Sequence, residues 1–446
     1  MYFFDTILLK GGTLAVGDAE IRMVPSDLLI EGGRIAAIAP SIPADSIVSS
    51  GAAPVIIEAS GLLISYGFAD IHVHLREPGA PSKETIATGS RAAARGGYTT
   101  VCAMPNLDPV PDSPENIALE QQIIERDAVV EVLPYAAITL GRKGLEVVDM
   151  EALKGRCIAF SDDGSGVQRK EVMLEAMRLA ASLDCIIAAH CEDESLLHGG
   201  YIHAGEWCAA HGHKGISSES EWVQIERDLE LAAATGCRYH VCHISTRRSV
   251  ELIRQAKRSG VRVSCETAPH YLVLCDAMMQ EDGRFKMNPP LRSADDREAL
   301  REGIADGTID AIATDHAPHT DAQKSLGLEG SAMGVVGLET ACAVLNTHLV
   351  KTGLLSVERL LELLSASPRK IFSLGGALRT GERADITLID PEKPWRIEPA
   401  AFLSKGRSTP FAGMDVCGDI LLTLKDGCPV WDPRNIFKNQ NSANGN

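Results

Sequence analysis

Asp70-Ile71-His72-Val73-His74-Leu75-Arg76-Glu77 closes a short apolar run, and its reading decides the rest of the chain. In a β-strand alternate residues share a face. His72 and His74 therefore project side by side, as two imidazoles must to hold one metal ion. Arg76 is expected to continue that face and set a fixed cation beside the metal. Seven similar runs follow, at 99–104, 130–137, 157–160, 185–190, 239–244, 261–266 and 309–314, after the first at 69–74. Helical patterns fill most gaps. One is 170–183, with Val172, Met173, Met177 and Ala180 at helical spacing; another is 250–257, stopped by Gly260. Eight strands alternating with helices predict an α/β fold, a (β/α)8 TIM-like barrel over residues 63–375. A doubly wound open sheet is the rival, but no Gly-x-Gly-x-x-Gly follows the first strand.

Outside that stretch the texture changes. Gly-punctuated strands are expected at 6–10, 27–31, 34–39 and 55–58, and again at 384–389 and 419–425. They predict a small β-sandwich domain built from both chain termini, 1–62 with 376–434. The polar tail 435–446 is expected to be flexible. A formal net charge of −17 argues against nucleic acid, which requires a Lys/Arg footprint. No apolar run is long enough for a membrane span. Residues 1–10 lack the basic start and cleavage site of a signal peptide and read as a strand. The cysteines are scattered without a Cys-x-x-Cys pair, several inside apolar runs (Cys102, Cys157, Cys185, Cys242). Reduced thiols in a cytoplasmic protein are the expectation.

In such barrels the active site lies at the C-terminal strand ends. Those ends read His72/His74, Asn106, Asp162-Asp163, His190, His243 and Asp315-His316. His190 closes Ile186-Ile187-Ala188-Ala189, and His243 closes Tyr239-His240-Val241-Cys242. His240 is out of phase with His243, so the residue nearer the strand end is taken as the ligand and His240 as structural. Asp315 is a carboxylate that is costly to bury without a metal, cation or donor, and it can exchange a proton with water. His319, four residues on, is either a loop histidine or part of the site. Of Asp162 and Asp163, beside Gly164, one suits an Asx-type turn and the other a bridge between two ions. Four histidines and two carboxylates suit a pair of divalent transition ions, zinc foremost. A bridged pair holds a shared hydroxide and polarises a carbonyl. Two divalent ions outweigh two aspartates and a hydroxide, and Arg76 adds to the excess. A small anionic substrate therefore fits inside an acidic protein.

These residues resemble the amidohydrolase superfamily, specifically the type I bacterial dihydroorotases. The matching stretches are Gly67-Phe68-Ala69-Asp70-Ile71-His72-Val73-His74-Leu75-Arg76-Glu77-Pro78-Gly79, Ala103-Met104-Pro105-Asn106, Phe160-Ser161-Asp162-Asp163-Gly164 and Ala189-His190-Cys191-Glu192-Asp193. They continue with His240-Val241-Cys242-His243-Ile244-Ser245-Thr246, Lys286-Met287-Asn288-Pro289-Pro290-Leu291-Arg292 and Ala313-Thr314-Asp315-His316-Ala317-Pro318-His319. The resemblance implies two zinc ions per subunit. His72, His74 and Asp315 would hold one, His190 and His243 the other, with Asp163 and a hydroxide bridging. An aspartate there, in place of the carbamylated lysine of many relatives, points away from hydantoinases and allantoinases. Asp315 would be the catalytic acid and base. His74, Arg76, Asn106, Asn288, His319 and the backbone of Met333-Gly334 would bind substrate, under a mobile loop at 320–334.

The implied activity is reversible ring closure of N-carbamoyl-L-aspartate to dihydroorotate in pyrimidine biosynthesis. A homodimer and association with aspartate transcarbamoylase are the implied partners. A hydantoinase or allantoinase is the nearer alternative, a non-catalytic scaffold the more distant. Tyr66 stands where proline is usual and Met333 where an aromatic is common; neither removes a group the chemistry uses.

Overall fold

The structure, a computed structural model, describes residues 6–17, 20–47 and 53–437. The expected strand over residues 1–10 therefore falls partly outside the described residues, as does most of the tail. Of that tail, Ile436 and Phe437 are held by their amides on the Asp432 carboxylate, and Phe437 is buried.

Strands near both ends share one eight-stranded sheet. Its seam is Leu63–Tyr66, which runs parallel to Thr6–Val16 and antiparallel to Ile386–Arg396, pairing Ile386 with Tyr66 and Ile389 with Leu63. The sequence reading put residues 63–66 in the barrel unit; their ladder lies in the terminal sheet. Ile7, Leu9, Leu28, Ile57, Leu388 and Leu422 belong to the apolar core of this sheet.

The middle of the chain forms parallel ladders. Phe68–Val73 pairs with Tyr98–Ala103, which pairs with Glu131–Pro134. Separately, Ile186–Ala189, Arg238–Val241, Val263–Thr267 and Ala311–Ile312 pair in chain order. Single parallel bridges join the two sheets at both edges. Phe160 bridges Ala136 on one side and Ile187 on the other, while Val73 bridges His316. The expected strand at 157–160 is thus reduced to bridges. The first two ladder strands are buried along their whole length, as strands covered on both faces must be.

The intervening helices turn their apolar stripes inward. Lys170–Ser182 buries Val172, Met173, Ala176, Met177 and Ala180. Arg247–Arg258 starts at Thr246, whose side chain accepts from the Ser249 amide. It ends with Lys257 and Arg258 against the helix dipole, followed by Gly260 at φ +80°. No described helix is long and apolar enough to cross a membrane.

Candidate metal and substrate site

The strand ends bring four imidazoles around one carboxylate. Asp163 lies 3.3 Å from His72 Nε2, 3.4 Å from His74 Nε2, 3.7 Å from His190 Nδ1 and 3.4 Å from His243 Nε2. Asp315 Oδ1 closes the other side, 3.2 Å from His74 Nε2 and 3.7 Å from His72 Nε2. All six are buried. Two trios, His72/His74/Asp163 and Asp163/His190/His243, place their donor atoms within 4.8 Å of one another, close enough to hold a metal ion each, with Asp163 common to both. The histidine pair follows from strand alternation, since His72 lies in the strand and the His74 amide continues the pairing onto the His316 carbonyl at 2.8 Å.

Electrostatics explain why such a cluster needs cations. Burial opposes charge on Asp163, but His72 and hydrogen bonds from His190 and His243 hold its carboxyl well below the usual carboxylate range. Burial likewise opposes a charged His72, yet Asp163 and Glu266 lift that ring well above the ordinary imidazole value. His190 is raised to about 10 against burial, by Asp163 and Glu192. The carboxylates draw protons onto the His72 and His190 rings, whereas burial and then Arg76 hold His74 below the ordinary imidazole value; a metal ion satisfies the same demand without protons.

Each remaining sequence-read residue has a definite place. A cavity of about 200 Å³ is lined by His74, Arg76, Asn106, Asp163, His190, His243, Asn288, Asp315, His319, Met333 and Gly334, among others. Larger cavities of about 480 and 530 Å³ lie elsewhere, lined by none of these residues; donor chemistry rather than volume marks the site. His72 sits beneath the cavity, fully buried. Arg76 does not continue the strand face. Its φ of +61° turns the chain, and its Nε donates to the Pro318 carbonyl at 3.3 Å, fixing the guanidinium at the cavity wall. His243 and Asp315 also take positive φ, +32° and +47°, strained backbone of the kind that clusters at functional sites.

Asp162 and Asp163 divide their tasks. Asp162 accepts from the Ile138 and Thr139 amides and so shapes a neighbouring turn, while Asp163 faces the imidazoles. His240 lies apart from the cavity, with Nδ1 2.8 Å from Ser264 Oγ and Nε2 3.3 Å from Glu266. Asn106 accepts at 2.8 Å from His74 Nδ1. His319 Nε2 donates to the Met333 carbonyl at 2.8 Å; burial first, then Arg76, hold His319 neutral, down to about 3.

Three residues escaped the sequence reading. Glu266 meets His72 Nδ1 at 2.8 Å; its position as the last residue of the expected strand 261–266 was the available signal. Glu192 accepts from Asn288 Nδ2 at 3.0 Å and lies 3.6 Å from His190 Nε2. Arg142 donates to the Asp163 carbonyl, across a distance no local pattern reveals.

With this geometry in place, comparison with known proteins adds the following. A Dihydro-orotase-like family model matches residues 61–249. A dihydroorotase from Geobacillus sp. (strain WCH70) is 51% identical over 428 residues, 95% of this chain and 98% of the relative. One from Bacillus caldolyticus is 50% identical, covering 96% and 99%. Among solved structures, an L-hydantoinase (dihydropyrimidinase) from Arthrobacter aurescens superposes with a TM-score of 0.84 at 27% identity, covering 96% of each chain. A D-hydantoinase gives 0.82 at 22% identity, covering 96% and 95%, and shares the fold.

Proposed function

The chain belongs to the dihydroorotase-like amidohydrolases, and from that premise we propose that it interconverts N-carbamoyl-L-aspartate and (S)-dihydroorotate in pyrimidine biosynthesis. The observation that carries this reading is Asp163, set among four imidazoles in the same cavity as Arg76. The residues fit a metal pair. His72 Nε2 is buried without a hydrogen-bond partner and faces both Asp163 and Asp315. His72, His74 and Asp315 would hold one zinc ion and His190 and His243 the second, with Asp163 shared. Bound there, such ions acidify water and polarise an amide carbonyl.

The protein's own groups supply the rest. Asp315 takes the proton of the attacking water and hands it to the departing ring nitrogen, acting as base and then acid. Arg76 meets the substrate carboxylate with a planar fork suited to two parallel hydrogen bonds. Asn106, Asn288 and His319 orient the ring. Met333 and Gly334 close the cavity and keep bulk water from it. Among the described residues no lysine lines this cavity, in keeping with aspartate in the bridging place.

The proposal extends to architecture and setting. The two parallel sheets joined by bridges are read as one (β/α)8 barrel within 63–375, less the Leu63–Tyr66 strand, which pairs in the terminal sheet. The terminal strands, 1–62 with 376–434, are read as a small β-sandwich domain closed over its own core. All twelve cysteines are free, which suits a reducing, cytoplasmic location. A homodimer and association with aspartate transcarbamoylase belong to the same reading.

The test is substrate comparison with the purified, zinc-loaded enzyme. Dihydroorotate turnover with an inert hydantoin supports the proposal. Hydantoin opening without dihydroorotate turnover would assign the chain to the cyclic amidases that lack a substrate carboxylate.

A further inference from the structure

The cavity roof is held by a buried cation that the chemistry does not use. Lys324 ends the short helix Asp321–Lys324 and is only 6% exposed. Its Nζ donates to the carbonyls of Lys286 (2.9 Å), Ala332 (2.7 Å) and Gly334 (2.8 Å). An ammonium has three N–H donors, and here each meets a carbonyl. The Lys286 carbonyl also accepts from the Gly334 amide at 3.1 Å. Lys286 reciprocates: its own Nζ donates to the Glu329 carbonyl at 2.7 Å and lies over the Tyr201 ring. Two lysines thus cross between the 320–334 loop and the segment that carries Asn288. Among the described residues Lys324 makes no ion pair; the three carbonyls, with a longer-range contribution from the Asp282 charge, offset its burial. Burial first, then Lys286, pull its pKa down to about 7.

The clasp matters because of what it seats. Gly334 lies at φ +133°, and a Cβ there would come within 2.6 Å of the Ala317 carbonyl oxygen. Met333, next to it, accepts from His319 Nε2. Both line the cavity, with Arg76 and Asn106. The loop has limited apolar anchorage of its own, since Leu328 is buried but Leu326 is 61% exposed.

We propose that Lys324 is a positioning residue: its ammonium fastens the 320–334 loop to the Lys286 backbone and so sets the Met333-Gly334 roof over the substrate. The inference rests on reading that cavity as the substrate site. It deepens that reading by assigning substrate affinity to a group that never touches the substrate.

Lys324→Met keeps the side-chain length but removes the donor to the Ala332 and Gly334 carbonyls and leaves the Lys286 carbonyl with the Gly334 amide alone, a loss expected to favour local opening by about 10- to 100-fold. Two readouts on the zinc-loaded enzyme test this. Hydrogen exchange across 320–334 should accelerate by about that factor while exchange in the barrel strands is unchanged. KM for dihydroorotate should rise by a similar factor with kcat kept within about threefold, the pattern of lost uniform binding. Lys324→Gln, with a shorter donor, should fall between Lys324→Met and wild type. Lys286→Met, which removes the Glu329 tie and the charge over Tyr201 but keeps the Lys286 carbonyl, should move both readouts in the same direction but less. Unchanged exchange and KM in Lys324→Met overturn the proposal. If that variant does not fold, unchanged values in both Lys324→Gln and Lys286→Met overturn it. A wild-type enzyme inert toward dihydroorotate would instead refute the functional reading, and the exchange data would still judge the clasp.

Discussion

Replacing Glu266 by glutamine tests how the histidine cluster is supported. Glu266 is buried, with Oε1 2.8 Å from His72 Nδ1 and Oε2 3.3 Å from His240 Nε2. The first contact is short and charge-assisted; the second is long and contributes less. A hydrogen bond to a charged group contributes about 1.5–3 kcal/mol, and about 1.4 kcal/mol is a factor of ten. Losing the charge while keeping the shape should therefore weaken zinc binding at the His72 side by about 10- to 100-fold, the range typical for partners of metal-binding histidines. Glutamine can still accept from one ring through its carbonyl oxygen, which places the expected value toward the lower end. Competition with a chromogenic chelator reads affinity, and dihydroorotate turnover at saturating zinc reads the catalytic consequence. Chelator competition indistinguishable from wild type, in a protein of unchanged melting temperature, would refute the argument that Glu266 anchors His72.

Other outcomes follow from the same geometry. Arg76→Met should raise KM for dihydroorotate about 10- to 100-fold, the value of a charge-assisted pair, with little change in zinc content; unchanged affinity would assign carboxylate binding to another cation. Asp315→Asn should lower kcat by several orders of magnitude while the protein still binds substrate, so a near wild-type turnover number would remove Asp315 from proton transfer. In the metal-free protein Glu266 is held down to about 2, against burial, by His240 and His72. Its folded pKa is depressed, so its stabilisation is full above the ordinary value near 4.5 and fades as pH falls toward about 2. The melting-temperature gap between metal-free wild type and Glu266→Gln should accordingly narrow on acidification; a constant gap would contradict the assignment. Ring closure consumes a proton, so the equilibrium ratio of dihydroorotate to N-carbamoyl-L-aspartate should fall about tenfold per pH unit above the carboxylate range, and a pH-independent ratio would indicate a different reaction.

Part of this site is legible in the sequence itself. His72 and His74 could be read because strand periodicity is strict and their run is short and apolar. His190, His243 and Asp315 share that logic, each closing a buried strand. Which aspartate of Asp162-Asp163 faces the imidazoles was legible only through the family resemblance, because adjacent side chains at a strand end are aimed by the turn, here one that Asp162 itself organises. Arg76 misled for a similar reason: alternation predicts its face only while the strand lasts, and the positive φ ends it. Leu63–Tyr66 has too few residues to declare its sheet, which is decided by a partner more than 300 positions away. Glu266 and Lys324 are buried charges, the first paired with distant rings and the second with carbonyls 8, 10 and 38 positions away. Local sequence records their charge but not their burial.

The most direct test is to strip the purified protein with a chelator and restore zinc stepwise, following bound metal and dihydroorotate turnover in the same sample. The account predicts an inactive metal-free protein whose turnover grows with zinc and saturates near about two ions per chain. Full turnover without metal, or two bound zinc ions with no turnover of dihydroorotate, would contradict it.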